Sequence, residues 1–389
     1  MSASWRETRD KASRRWFYAL FFLLPLTAVF GHRGVAPWLL LASLPAFARG
    51  DFWQAAFGKL FDNPSLSDPR FGGFLALLAL CAWIFLSAFW SPKHQFDLFL
   101  YVLAPALVGG SIVWFSLHLS REWAWRLGRA FLLAVAGGMI ILAFEGVTDG
   151  FLRRILPPHQ EAGARDMIAL GRGVTALAPA LFPAAAIAVR QWSRMAAIFI
   201  LLLGVAAAAS NDVLANVVAL GAGLVAVMAA LSAPRVTLRF VSWSAIVFLL
   251  AAPFIAALIP VEAIFAWARG AMTAQELSAS ASILHRLAIW RAAGLEAFSC
   301  LPVGCGADYA RIWKETAPMV AVPGAATMVS VIPVHPHNVF LQIWLELGLP
   351  GVAALALFFY FCLTALMRAE LSKAVSAAAA GAFVAIIVS

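Results

Sequence analysis

Long apolar stretches recur from one end of this chain to the other and constrain its fold more than any other feature. A backbone exposed to lipid must satisfy its hydrogen bonds internally, so each membrane crossing needs a helix of about 20 mostly apolar residues. The stretches are continuous and lack the alternating pattern of a membrane barrel. With 63% hydrophobic and 12% charged residues among 389, the chain has too little charge to cover a soluble surface. The sequence therefore predicts an all-α polytopic integral membrane protein.

Eleven stretches are predicted to be spans, and about 11–12 transmembrane helices are expected in all. The first two and the seventh are short for a full crossing, and the last reaches residue 389 without a flanking charge, which suggests a further helix beyond it. The stretches are 16–30, 34–48, 72–90, 97–117, 127–148, 172–190, 195–209, 212–231, 240–260, 350–367 and 374–389.

The distribution of basic residues predicts the orientation. Five Lys or Arg precede the first span and no small-residue cleavage site follows it, so we expect a cytoplasmic N-terminus and not a signal peptide. Seventeen of the 28 Lys and Arg then fall on the inside, and the short outside loops carry almost none. Nine outside residues lie in 149–172 and 261–337, where they either solvate long loops or collect an anionic substrate. Scattered basic residues without a reading module indicate no nucleic-acid partner.

The predicted domain organisation has three parts. Residues 1–260 form a nine-helix transmembrane region, 261–337 an extracytoplasmic loop, and 338–389 a short re-entrant or interfacial helix followed by C-terminal transmembrane helices. Within the loop, apolar positions between Leu284 and Leu295 favour an amphipathic helix on the bilayer surface. Cys300 and Cys305 could pair if the loop is extracytoplasmic.

The end of that loop contains the candidate catalytic residue, a histidine next to a short apolar helix. A ten-residue apolar helix from Asn338 to Leu347 would be about 15 Å long, too short to span, and Gly348 would end it. His337 would then lie at the helix N-terminus, where exposed amides and the helix dipole favour an anion such as a phosphate. With an unperturbed pKa of about 6.5, a histidine there can accept a proton at neutral pH. The structural alternative is a capping or hydrogen-bonded histidine.

This segment resembles the signature of the O-antigen ligase and O-antigen polymerase superfamily. In that signature a His and an Asn, Ser or Gln are followed by nine residues, Gly, two residues and Gly, and the matching residues are His337, Asn338, Gly348 and Gly351. Weaker similarities over residues 165–370 are Arg172 between two glycines and an upstream series of Arg286, Trp290, Pro302, Gly304 and Gly306. Ser210-Asn211-Asp212 replaces a basic turn that members often carry, so no role is assigned to that turn.

The resemblance implies a GT-C-like membrane glycosyltransferase of the bacterial cell inner membrane, with a periplasmic active site, acting in lipopolysaccharide biosynthesis. Its donor would be an O-antigen glycan on undecaprenyl diphosphate, and its acceptor a sugar hydroxyl of lipid A–core. His337 would be the catalytic base in a direct, inverting displacement. Arg172, Arg286 and Arg291 would bind the diphosphate, because planar guanidinium groups suit phosphate oxygens. No metal ion and no cofactor are expected, since the outer segments lack a DxD-like pair.

Several alternatives remain open at this stage. Arg172 could be an interfacial anchor, His335 a neighbour of the site, His285 an interfacial residue, and Glu145 an exposed structural carboxylate. Among enzymes, an O-antigen polymerase or a protein O-oligosaccharyltransferase would share the motif, although chain length and the single large loop favour the ligase. A lipid-linked glycan transporter is disfavoured, because the sequence shows no repeated halves and its charges cluster at the outer surface.

Overall fold

The computed structural model describes residues 3–54, 65, 67–155, 164–211 and 213–388. Helices make up most of this part of the chain, with one ladder of two short strands, β1 (Met319–Val320) and β2 (Val329–Ser330). The helices are α1 (Ala3–Ala28), α2 (His32–Phe47), α3 (Gly50–Trp53), α4 (Pro69–Ser87), α5 (Leu100–Leu117), α6 (Arg121–Val147), α7 (Phe151–Ile155), α8 (Ala164–Gln191), α9 (Arg194–Ser210), α10 (Leu214–Ser232), α11 (Pro234–Ala257), α12 (Val261–Ala271), α13 (Ala274–Ser299), α14 (Tyr309–Thr316), α15 (Val339–Arg368) and α16 (Lys373–Val388).

Six helices in the described ranges are long and apolar enough to cross a membrane, namely α4, α6, α8, α10, α11 and α15. Shorter apolar helices occur in α2, α5, α9 and α16. All eleven predicted stretches overlap helices, and the all-α polytopic class is confirmed. The expected 11–12 crossings remain a prediction, as does the three-part domain division.

Helix starts follow from local sequence. Asp68 caps α4 by accepting a hydrogen bond from the Arg70 amide at 2.9 Å, and Pro69 occupies the first turn, where its missing N–H has no cost. At α13, Thr273 and Glu276 form a capping box in which each side chain accepts from the other's backbone amide. Both caps satisfy amides that a helix start would otherwise leave unpaired.

The chain divides into two compact units. The first contains Met1–Asp62, Ala106–Val241 and Ala369–Ser389, and the second contains Asn63–Pro105 and Ser242–Arg368. In the first unit α6 packs against α1, α8 and α9, and α10 packs against α16. Its core is formed by fully buried apolar side chains, including Leu132, Met139, Leu142, Leu181 and Phe182.

Glu145 corrects one expectation within the first unit. Its side chain is fully buried, not exposed. A turn with Gly150 at φ 79° folds the chain back, and the carboxylate accepts hydrogen bonds from the amides of Leu152 (2.7 Å) and Arg153 (3.1 Å). Glu145 thus caps the first turn of α7, and this fold-back could not be read from its position near the end of an apolar stretch.

In the second unit, α4 and α13 both pack against α15, and α12 packs against α13. Gly294 allows α13 to approach α11, since a Cβ there would lie 2.9 Å from both Ala256 Cβ and the Pro253 carbonyl oxygen. The stretch predicted to be an amphipathic helix is helical, as part of α13, and its position on the bilayer surface remains a prediction. Beside it, α12 and the segments around the β-ladder bury a small apolar cluster that includes Val261, Phe265, Leu284, Val322 and Val331.

Candidate active site

The His337 motif forms a short helix that ends where the sequence predicts. Helix α15 begins at Val339 and is interrupted at Gly348, whose φ of 59° and ψ of −156° are not helical. Asn338 caps the start, because its Oδ1 accepts from the amides of Phe340 (3.0 Å) and Leu341 (3.2 Å). The amides of Phe340 and Leu341 are therefore not free to bind an anion, and the prediction of exposed amides is wrong for these two residues. The partial positive charge of the helix end remains.

The break at Gly348 is held by the turn between Pro302 and Gly306. The Leu349 amide donates to the Pro302 carbonyl at 2.8 Å, and a Cβ on Gly348 would collide with the Pro302 and Gly304 backbone. Three donors satisfy the last carbonyls of the short helix: the Cys305 amide to Leu345 (2.8 Å), the Gly306 amide to Glu346 (3.0 Å) and the Trp83 indole to Leu347 (2.7 Å). The two glycine-containing motifs therefore form one packed junction.

A buried carboxylate forms a second connection, between the short helix and the residue before α14. The sequence analysis did not identify it. Glu346 is 8% exposed and accepts from the Asp308 amide at 3.1 Å. Asp308 has φ 62° and forms ion pairs with Lys93 (2.6 Å) and Arg311 (3.1 Å). The available signal was a single glutamate in an otherwise apolar run, since a buried carboxylate needs partners.

His337 lies just before the capped helix in a strained backbone conformation. Its φ is 52°, which is uncommon for a residue other than glycine and is found disproportionately at functional sites. The His337 amide donates to Nδ1 of His335 at 3.3 Å, and the two imidazole centroids are 4.3 Å apart. His335 is thus an immediate neighbour of the predicted base.

Helix α13 supplies the other charged and polar groups near His337. Nε2 of His285 donates to the Ser330 carbonyl at 2.9 Å, which joins α13 to β2. The expectation that His285 is interfacial remains a prediction. Burial, which is the main cause, and the positive charges of His335, Arg286 and His285 together lower the pKa of His337 to about 4. Although His337 keeps contact with solvent, its imidazole is neutral at neutral pH and can accept a proton.

Arg286 differs from Arg291 in its partners. Across the described segments Arg286 has no acidic partner or hydrogen bond, whereas Arg291 forms an ion pair with Glu262. The hydrogen bond from Arg291 holds the pKa of Glu262 below its usual value. Arg172 is exposed on α8 in the first unit. The second unit therefore brings Arg286 near His337 and directs Arg291 to Glu262, while the diphosphate roles of all three arginines remain predictions.

One cluster in the described residues has side chains close enough to share a metal ion, and it consists of Glu296, Cys300 and Cys305. The two cysteines are joined by a disulfide, so they offer no thiolate ligands. Glu296 accepts a hydrogen bond from the Tyr309 hydroxyl at 2.8 Å. Burial, followed by that hydrogen bond and the charge of Glu296, raises the pKa of Tyr309 to about 12. The disulfide closes a short loop around Pro302, beside the Gly348 junction.

Comparison with known families gives one match. Residues 196–356 match the family model described as O-antigen ligase, which confirms the resemblance seen in the sequence. The matched range includes Arg286, Arg291, His337 and the Gly348–Gly351 turn, and it leaves Arg172 outside. Searches of curated proteins and of solved structures returned no match.

Proposed function

We propose that the chain is a membrane glycosyltransferase of the ligase or polymerase type, and specifically a ligase, because residues 196–356 match the family model described as O-antigen ligase. It transfers a glycan from undecaprenyl diphosphate to a sugar hydroxyl of lipid A–core at the periplasmic face of the bacterial inner membrane. The observation that carries this proposal is the position of His337, with its lowered pKa, near Arg286, a cation without an acidic partner in the described part of the chain.

The pair supplies the two functions that the reaction needs. The acceptor hydroxyl attacks the anomeric carbon and its proton passes to the His337 imidazole. The bond between that carbon and the diphosphate oxygen breaks in the same displacement, so the configuration inverts. Arg286 stabilises the charge that develops on the departing diphosphate. Arg172 and Arg291 are its proposed partners in binding phosphate oxygens, because guanidinium groups bind them in a bidentate manner.

The electrostatics of the site suit an anionic donor. A histidine with a pKa of about 4 is a weak base, because efficient proton transfer needs a pKa near the working pH. Diphosphate bound beside Arg286 would offset the positive charges that lower the pKa of His337, and would raise it toward its ordinary value. Donor binding and activation of the base are thereby linked. The proposed transfer uses arginine side chains and needs no divalent ion.

Two observations support a periplasmic location. The Cys300–Cys305 disulfide lies in the same unit as His337, and such bonds persist in oxidising compartments. The distribution of Lys and Arg places the segment 261–337 outside when the N-terminus is cytoplasmic. A site there could receive both amphiphilic substrates from the outer leaflet.

The purified protein in proteoliposomes, supplied with undecaprenyl-diphosphate glycan, lipid A–core and EDTA, tests the proposal. We expect glycan on lipid A–core, detected as a mass shift of the acceptor, at an unchanged rate with EDTA. Elongation of the undecaprenyl-linked glycan without modified lipid A–core would instead identify a polymerase. Transfer to a protein hydroxyl in parallel reactions would identify a protein O-oligosaccharyltransferase, and either result overturns the ligase assignment.

A further inference from the structure

A cavity of about 300 Å³ lies between α6 and α8 in the first unit, at the ends of the two helices. Residues at helical spacing on both helices form its walls. Arg121, Ala124, Trp125 and Gly128 come from α6, and Ile187, Arg190 and Gln191 come from α8. Arg190 is 18 residues beyond Arg172 on the same helix, an axial separation of about 27 Å, close to the thickness of a bilayer core. The cavity is therefore at the opposite membrane interface from Arg172.

The two arginines at the cavity rim have no acidic partner among the residues that the structure describes. The guanidinium of Arg190 lies 5.6 Å from the centroid of the Trp125 ring, which orients it without neutralising it. Gln191 is fixed by a 3.0 Å hydrogen bond from its Nε2 to the Trp125 carbonyl. The nearest acidic residue in sequence, Glu122, is engaged by Arg126 at 2.6 Å. The rim thus presents two cationic donors toward one small space.

The cavity floor is apolar, in contrast to the rim. Gly128 and Ala124 are small residues beside Ile187, and a Cβ on Gly128 would lie 3.5 Å from Gln191 Nε2 and 3.7 Å from Ile187 Cδ1. Trp125 lines the cavity, and at the same end of the two helices Arg129 lies 5.9 Å from the centroid of the Trp192 ring. Tryptophan and arginine at the end of apolar helices are typical of the membrane interface. A cationic rim above an apolar floor matches a phosphate group attached to an acyl chain.

We propose that this cavity binds the phosphate headgroup of an anionic membrane phospholipid, with Arg121 and Arg190 holding the phosphate and the start of an acyl chain over Gly128. Basic pockets between transmembrane helices are suited to such headgroups, because the guanidinium groups satisfy phosphate oxygens while the chain stays in the apolar layer. The positive-inside pattern assigns this end of α8 to the cytoplasmic side. The cavity is formed by residues other than those proposed for glycosyl transfer, so this assignment does not depend on that function.

Native mass spectrometry of the detergent-purified chain with added phosphatidylglycerol tests the proposal. We expect a bound lipid on the wild type, and about a tenfold weaker affinity for Arg121→Gln and for Arg190→Gln, since each loses one charge-assisted contact. Arg235→Gln is the matched control, because Arg235 is also exposed at the start of a helix in the same unit but lies outside the cavity. It should bind lipid as the wild type does. Equal affinity in all four proteins would overturn the assignment.

Further experiments test whether both the phosphate headgroup and the acyl chain contribute to binding, and whether soluble phosphate competes for the site. Ala124→Phe fills the cavity floor without removing charge, and it should weaken phosphatidylglycerol binding as the arginine variants do. Diacylglycerol, which lacks the phosphate, should bind at least about tenfold more weakly than phosphatidylglycerol. Wild-type binding of diacylglycerol at equal strength, or displacement of the lipid by millimolar inorganic phosphate, would contradict a phospholipid site.

Discussion

Gly304 and Gly348 pack so closely that a Cβ on Gly304 would lie 2.6 Å from the Gly348 nitrogen, and a Cβ on Gly348 would collide with the Gly304 nitrogen. Both residues also have positive φ values, 81° and 59°. This contact joins the Pro302–Gly306 turn to the end of the short helix that follows His337. The backbone geometry at both positions therefore requires glycine.

Gly348→Ala is expected to destabilise the protein by about 2–4 kcal/mol, because it combines backbone strain with a steric collision. Thermal unfolding in detergent measures the loss. Gly270→Ala is the matched control, since a Cβ at Gly270 meets no atom within 4 Å, and it should unfold at the wild-type temperature or slightly above. Similar melting temperatures for the two variants would show that the junction tolerates a side chain.

The buried Glu346 provides the second test of this junction. Glu346→Ala leaves the Asp308 amide without its acceptor, and an expected loss of about 1–3 kcal/mol follows. Glu346→Gln keeps an oxygen acceptor of similar size, so it should lose less. Denaturation of both variants under the same conditions checks the order. If Glu346→Gln is as destabilised as Glu346→Ala, a neutral oxygen acceptor at this position does not hold the Asp308 amide.

Local sequence patterns predicted much of this fold. The apolar stretches correspond to helices, and the break at Gly348 follows from the sequence Gly348-Leu349-Pro350-Gly351 after a short apolar run. Glu145 was misjudged because its partners belong to α7, which returns to it only through the turn at Gly150. Periodicity along one helix does not reveal a partner on another.

The candidate site was predicted in part for the same reason. His337 and Arg286 were singled out from their motifs, and the structure brings them near each other. His335 was expected to be a neighbour of the site and contacts His337. The position of His285 depends on its contact with the β-ladder, which carries no helical periodicity. The pairing of Arg291 with Glu262 joins α12 to α13, a contact that spacing within α13 could not predict.

The different partners of Arg286 and Arg291 predict different kinetic effects. Arg286→Gln should lower kcat/KM by about 10²-fold, because it removes an unpaired cation beside the reacting groups. Arg291→Gln should have a smaller effect, since Glu262 already engages that guanidinium. Glu262→Gln is the control that frees Arg291 without removing it. Steady-state transfer rates with varied donor check this order, and a larger loss in Arg291→Gln than in Arg286→Gln would contradict it.

The low pKa of His337 predicts how the protein responds to pH. The folded state holds this group at a pKa of about 4, below the value of about 6.5 in an unfolded chain. The unfolded state therefore binds more protons in this range, and His337 reduces stability progressively as pH falls from about 6.5 to about 4. Histidine NMR titration should show His337 near pH 4 in the free protein and at higher pH with undecaprenyl diphosphate. Titration at or above 6.5 in the free protein would refute the electrostatic account.

The most direct test of the central claim is single-turnover glycan transfer by His337→Asn in proteoliposomes. Asparagine tolerates the left-handed backbone of this position but cannot act as a base, so folding and proton transfer are separated. His118→Ala, at an exposed histidine outside the site, serves as the control. We expect His337→Asn to bind donor with nearly wild-type affinity and to transfer glycan about 10²–10⁴-fold more slowly. Transfer at the wild-type rate would show that His337 is not the base.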